Sequence, residues 1–188
     1  MQIEVVKVGS RQSPLARLQA DNAISRIDYP AEIITMLEVA DEDLSRPVHE
    51  MGGKGMFCTK LEKALINRQI HCAIHSAKDC ATIETPGTEL LGVVYRGDPR
   101  DCVIGDHSLH QLPAGSRIGT SAPRRIEAIR LIRPDCQVVE VRGNVNTRLN
   151  KLRDKQVDAL ILGQSVIDRM GLDVPHHTIS EEVILPAA

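Results

Sequence analysis

The chain has 188 residues, 42% of them hydrophobic and 26% charged, with a formal net charge of −2. That is an ordinary globular composition with length enough to bury a core, arranged as one large domain or two small ones, and two are expected here. It excludes whole-molecule attraction to nucleic acid or an anionic membrane, and three aromatic residues, Tyr29, Phe57 and Tyr95, are too few for a base-stacking platform.

Residues 3–8 form an apolar strand pattern followed by Gly9-Ser10-Arg11-Gln12-Ser13-Pro14, after which Leu15, Leu18, Ala23, Ile24 and Ile27 recur at helical spacing. Ser13 is the expected N-cap, with Pro14 at the first helical position. A strand, loop and helix in this order aim backbone N–H groups and the positive end of a helix at the loop, where a carboxylate or phosphate is favoured. Arg11 is then either a ligand-binding cation or an exposed turn arginine. Residues 32–39 form a second strand, and Ala40-Asp41-Glu42-Asp43 a polar connection. Met51-Gly52-Gly53-Lys54-Gly55-Met56 is a glycine-rich loop leading into a helix whose Phe57, Leu61, Ala64 and Leu65 share one face. The loop lacks P-loop spacing and reads as a mobile lid or as close packing; Phe57 reads as core.

A buried strand over residues 70–75 runs out into His75-Ser76-Ala77-Lys78-Asp79. In open α/β folds that strand-end position is where ligands bind, so Asp79 is a candidate catalyst. Residues 90–95 read as a further strand, and Arg96-Gly97-Asp98-Pro99-Arg100-Asp101 breaks the pattern as expected at a domain crossing. Beyond it come a strand at 117–120, a helix at 123–132, a strand at 137–142, a helix at 145–155 and a strand at 158–162. That rhythm argues for a parallel sheet with helices on its faces. Two of its loops, Gly119-Thr120-Ser121-Ala122-Pro123-Arg124-Arg125 and Arg142-Gly143-Asn144-Val145-Asn146-Thr147-Arg148, join strand ends to helix starts. Arginines and hydroxyls at such termini suit bidentate capture of carboxylates, or else are solvated helix-start arginines with local ion pairs.

The longest apolar runs, such as Ala159-Leu160-Ile161-Leu162, are too short to cross a bilayer, and the first residues go straight into a strand pattern, so a cytoplasmic protein is expected. Cys58, Cys72, Cys80, Cys102 and Cys136 form no CxxC pair and are read as reduced thiols. Cys72 and His75, three apart on an expected strand, face opposite sides, and adjacent His176 and His177 do not converge, so no metal is expected.

Ser10-Arg11-Gln12-Ser13-Pro14-Leu15-Ala16, Gly52-Gly53-Lys54-Gly55-Met56-Phe57, His75-Ser76-Ala77-Lys78-Asp79, Asp98-Pro99-Arg100-Asp101, the Gly119 loop with Arg124-Arg125, and Arg142-Gly143-Asn144-Val145-Asn146-Thr147-Arg148-Leu149 together resemble the porphobilinogen deaminase (hydroxymethylbilane synthase) family. The resemblance implies a transferase of tetrapyrrole and haem biosynthesis that joins four porphobilinogens head to tail, with release of ammonia, on a dipyrromethane cofactor. Asp79 matches the family's catalytic aspartate. Arg11, Ser13, Lys54, Phe57, Lys78, Thr120, Ser121, Arg124, Arg125, Arg142, Gly143, Asn144 and Arg148 match cofactor- and substrate-binding positions, and Asp41, Ser76 and Arg100 are further candidates. The fold implied is α/β, two periplasmic-binding-protein-like domains over residues 1–97 and 98–188, each a mainly parallel sheet flanked by helices, with a cleft between them.

The sequence also departs from the family. Members continue past the point matching Leu185-Pro186-Ala187-Ala188 into a return segment and a third domain bearing the cysteine to which the cofactor is attached. The expectation is the family's first two domains without the third, and none of the five cysteines matches the attachment position. Cys80-Ala81 stands for the usual Val-Pro, Ala122 for a usual serine and Ala40 for a usual glycine. A reading of another class is a non-catalytic binder of porphobilinogen or another polycarboxylate. A monomer acting on a small molecule, without nucleic acid or membrane partners, is expected.

Overall fold

The computed structural model describes residues 4–38 and 58–187. The chain divides into two compact units, Met1–Val94 and Tyr95–Ala188. In the first, strand β1 (Val6–Arg11), helix α1 (Pro14–Ile24) and strand β2 (Ala31–Met36) form a strand-helix-strand unit whose strands pair in parallel, from Val6 opposite Ala31 to Arg11 opposite Met36. Ser13 caps α1 by accepting from the Ala16 N–H, and Pro14 fills the first turn, where a missing N–H is harmless. Ala16, Ala20 and Ala23, spaced four and three apart, form the buried stripe of α1.

Helix α2 (Thr59–Ile66) leads to strand β3 (Cys72–Ala73), which pairs in parallel with the other side of β1, so the strand order is β2-β1-β3. Its small core is Leu61, Ala64 and Ile70, with Ile34, Met36, Leu65 and Ala73 packed against it. Gly9 permits the approach: a Cβ there would lie 2.4 Å from Ile70 Cδ1 and 2.8 Å from Leu61 Cδ2. The strand expected over residues 70–75 is shorter than its apolar run. Its pairing with β1 extends only from the His71 N–H on Lys7 C=O to the Ile74 N–H on Gly9 C=O before the chain turns at Ser76. The strand expected over residues 90–95 does not form. Leu90, Leu91 and Val93 are 70, 82 and 76% exposed, and no neighbouring strand among the described residues gives this run a partner. An apolar run becomes a strand only where a free sheet edge meets it.

The second unit comprises β4 (Asp101–Ile104), β5 (Arg117–Gly119), α3 (Pro123–Ile132), β6 (Gln137–Val139), α4 (Val145–Arg153), β7 (Ala159–Gly163), α5 (Gln164–Met170) and β8 (His176–Thr178). The strand order is β6-β5-β7-β4-β8; β5 pairs in parallel with β6 and β7, and β4 runs antiparallel to both of its neighbours. Sheet strands alternate faces, and the two cores follow that alternation. Val103, Ala159 and Ile161 pack with Ile129 of α3 in one, whereas Cys102, Ile104, Leu160 and Leu162 pack with Leu149 of α4 and Ile167 of α5 in the other. Helices therefore cover both faces, which is why β7 and the Cys102-Val103-Ile104 part of β4 read as apolar runs.

Candidate active site

In the first unit β1 lies between two strands that both follow it in the chain, β2 on one side and β3 on the other, and in the second β5 likewise lies between β6 and β7. Such a switch point opens a crevice at the carboxyl ends of the strands. In the first unit it lies between β1 and β3. Arg11 ends β1, and residues Ala77–Asp79 form a single 3-10 turn just after β3. The turn is closed by the Asp79 N–H on Ser76 C=O. This brings Arg11 Nη1 to 3.7 Å from Asp79 Oδ2, with both side chains partly shielded at 19 and 25% exposure. The pair is an ion pair at close range, longer than a hydrogen bond.

The neighbours hold that geometry. Buried Ser10 donates through Oγ to Ala16 C=O, tying the β1 end to α1. Gln19 of α1 donates through Nε2 to Ser76 Oγ at 2.9 Å, fastening the start of the turn to the same helix. Gln19 was not visible as a site residue from the sequence, where it is only a polar position on an amphipathic helix. Lys78 is exposed on the turn, and Ser13 is engaged in capping. Asp41, Lys54 and Phe57 lie outside the described residues.

The second unit assembles a cationic cluster. Arg148 is half-buried, and its Nε donates to Gly143 C=O at 2.8 Å, folding the guanidinium back over the loop that follows β6. Asn144 caps α4 by accepting from the Thr147 N–H at 3.0 Å. Gly143 sits at φ 107°, left-handed backbone that suits glycine, and an added Cβ would meet Thr147 at 2.7 Å. Burial, and then the nearby charges of Arg125 and Arg142, lower the proton affinity of Arg148. Arg148 is thus half-buried within reach of two like charges, and an anion beside it would be favoured.

Arg124 and Arg125 also face an internal partner. Asp101, 2% exposed at the start of β4, accepts from Arg125 Nη2 at 2.8 Å through Oδ1. Arg124 Nη2 lies 2.8 Å from its Oδ2, off the hydrogen-bonding line. Arg125 Nη1 donates to Ile161 C=O, and Arg124 Nη1 to Leu185 C=O. Buried Arg125 Nε makes no hydrogen bond. Asp101, the last residue of the Asp98 motif, is therefore the counter-ion of the arginine pair, a role its position in a turn-rich stretch did not reveal. Arg100 closes on Asp98 with its fork, at 2.6 Å for Nη2. Thr120 is 1% exposed and accepts from the Ala122 N–H, while Ser121 is half-buried beside it; Ala122, at the α3 N-cap, has no hydroxyl to offer that helix.

A family model described as porphobilinogen deaminase, dipyrromethane cofactor binding domain, matches residues 6–188. The chain belongs to the porphobilinogen deaminase family. It is 37% identical over 194 residues to the porphobilinogen deaminase of Geobacter sp. strain M21, covering 100% of this chain and 61% of that protein. The corresponding enzymes of Geobacter metallireducens and Stenotrophomonas maltophilia are 39 and 38% identical, over 97 and 90% of this chain and 59 and 58% of theirs. The chain thus spans about three fifths of the length of these relatives. Among solved structures, an ancestral cationic amino-acid solute-binding protein shares the fold, with a TM-score of 0.51 at 10% identity over 93% of this chain and 76% of that one. The α/β architecture expected of a porphobilinogen deaminase family member is the one observed, in two units with helix-flanked sheets.

The family's cofactor carries carboxylates, and the second unit suits such a group. Arg125 keeps an orphaned buried N–H beside the like charges of Arg142 and Arg148. Among the described residues no helix is long and apolar enough to cross a membrane.

Proposed function

We propose that this chain is the catalytic portion of a porphobilinogen deaminase, a cytoplasmic transferase that condenses four porphobilinogens head to tail into hydroxymethylbilane. The observation that carries the reading is the Asp79 carboxylate held 3.7 Å from Arg11 at the strand ends of the first unit. Loss of ammonia from an aminomethylpyrrole leaves a cation, and a carboxylate preplaced beside the pyrrole nitrogen lowers the barrier by stabilising charge as it develops. Arg11 orients that carboxylate. Partial burial keeps water from screening it, which raises the worth of each charge. The same carboxylate can hold the pyrrole N–H and pass protons during coupling.

A bound dipyrromethane supplies the primer to which the pyrroles are added. Arg142 and Arg148 are the side chains that would hold its acetates and propionates, with Thr120, Ser121, Asn144 and the Gly143 backbone beside them. Arg125 serves the same field from within its Asp101 pair, and Arg124, 30% exposed, is the member of that pair able to turn outward. Lys78 and Ser13 complete the contacts proposed for the first unit.

The test is Asp79→Ala, assayed by ammonia release and by hydroxymethylbilane formation. Removing one preorganised electrostatic partner is expected to lower turnover by about 100- to 1,000-fold with folding intact. Retention of most of the activity would overturn the assignment.

A further inference from the structure

The structure brings together three side chains that the function above does not use. Cys58 lies buried at the start of α2, His75 follows β3, and Cys80 follows the Ala77–Asp79 turn, exposed. Cys58 Sγ is 3.5 Å from His75 Nδ1, and the two sulfurs and one imidazole nitrogen all lie within 4.8 Å of one another. Tetrahedral zinc, with bonds of about 2.3 Å to sulfur and about 2.0 Å to nitrogen, sets its ligand atoms roughly 3.5–3.8 Å apart. The Cys58 and His75 atoms already stand at that separation. Cys80, at the exposed side of the group, has to close by no more than about 1.3 Å for the same bond lengths.

We propose that Cys58, His75 and Cys80 form a binding site for a thiophilic divalent cation, Zn2+ or Cd2+, with water in the fourth position. Two sulfurs and an imidazole select such ions over Mg2+ and Ca2+, which require oxygen ligands. The surroundings favour a cation: the carboxylates of Asp79 and Glu62 lie close enough to act electrostatically on both thiols. As each sulfur–metal bond forms, the S–H bond breaks and its proton passes to solvent. Cys58 then gives up its 3.4 Å hydrogen bond to the Asp79 carbonyl. The ion would join the start of α2, the end of β3 and the turn bearing Asp79. Occupancy therefore fixes that turn from behind, and the binding itself does not depend on what Asp79 does.

The experiment titrates the full chain, reduced with a phosphine, with Co2+, and then displaces the cobalt with Zn2+. One equivalent of cobalt with a thiolate charge-transfer band and tetrahedral visible bands is expected. Cys80→Ser and Cys58→Ser should each remove the charge-transfer band and weaken zinc binding by more than about 100-fold, beyond the loss of an outer-shell partner. Cys136→Ser, in the other unit, should leave both unchanged. Cys58 is buried, so the exposed Cys80 variant, with folding checked by circular dichroism, keeps the test decisive if Cys58→Ser fails to fold. No charge-transfer band in the parent protein, or a loss in Cys136→Ser equal to that in Cys80→Ser, would overturn the site.

Discussion

Arg148 lies near the like charges of Arg125 and Arg142, whereas the exposed Arg130 pairs with Glu127, one helical turn back. If the cluster holds ligand carboxylates, Arg142→Leu should weaken porphobilinogen binding by about 10- to 100-fold, the worth of one or two charge-assisted hydrogen bonds. Arg130→Leu should leave calorimetric affinity unchanged, and equal effects would deny the cluster its role. A second residue-scale effect concerns stability. The Arg117 fork grips Asp158 through both oxygens, at 2.8 and 3.1 Å, and depresses the carboxyl from 3.8 to about 2. A depressed folded value means the pair stabilises fully above pH 4 and fades as pH falls towards about 2. The pair is about two-fifths exposed, so solvent screening keeps its contribution small. Asp158→Asn should lower the urea midpoint at pH 6, and the gap from the parent should narrow steadily as pH falls from about 4 towards about 2. A gap that widens in acid would contradict the pairing.

At the scale of elements, α2 begins without a side-chain cap of its own, since Cys58 makes none. Glu38, fully buried just beyond β2, takes over: Oε2 accepts from the Lys60 N–H at 2.9 Å and Oε1 from the Leu61 N–H at 3.0 Å. A carboxylate there satisfies two orphan donors and meets the positive helix end. It also ties α2 to the strand two positions upstream of it in the fold. Glu38→Gln puts an amide NH2 against one of those donors and should cost about 1–3 kcal/mol. Hydrogen exchange at the Lys60 and Leu61 amides would report it directly; unchanged protection there would mean that the cap is dispensable. No sequence signal marks Glu38, because a capping residue is sought next to its helix and this one is 22 residues away.

For the whole molecule, the two units differ in how thoroughly they bury their sheets. β4 is buried throughout and β7 nearly so, with cores on both faces, whereas among the described residues of the first unit the core cluster of Leu61, Ala64 and Ile70 lies beside a strand, β2, that is only half-buried. Amide exchange should therefore be slowest in β4 and β7, faster in β1 and β2, and fastest over residues 90–94, where the apolar side chains have no cover. Protection at 90–94 equal to that of β1 would show a strand pairing where the structure has none. Local pattern was sufficient for Ser13 capping α1, for α3 over Pro123–Ile132, and for the strand and helix alternation around it, since caps, periodicity and turn residues act over a few positions. The motifs likewise placed Asp79 and the arginine loops at strand ends. Tertiary structure alone decided that β4 runs antiparallel within its sheet, that residues 90–95 form no strand, and that Asp101 pairs with Arg124 and Arg125. It alone brought Cys58 and Cys80 to His75. Each of these depends on segments distant in the chain meeting in space, and the free energy of such a meeting belongs to the pair of segments and is written in neither one.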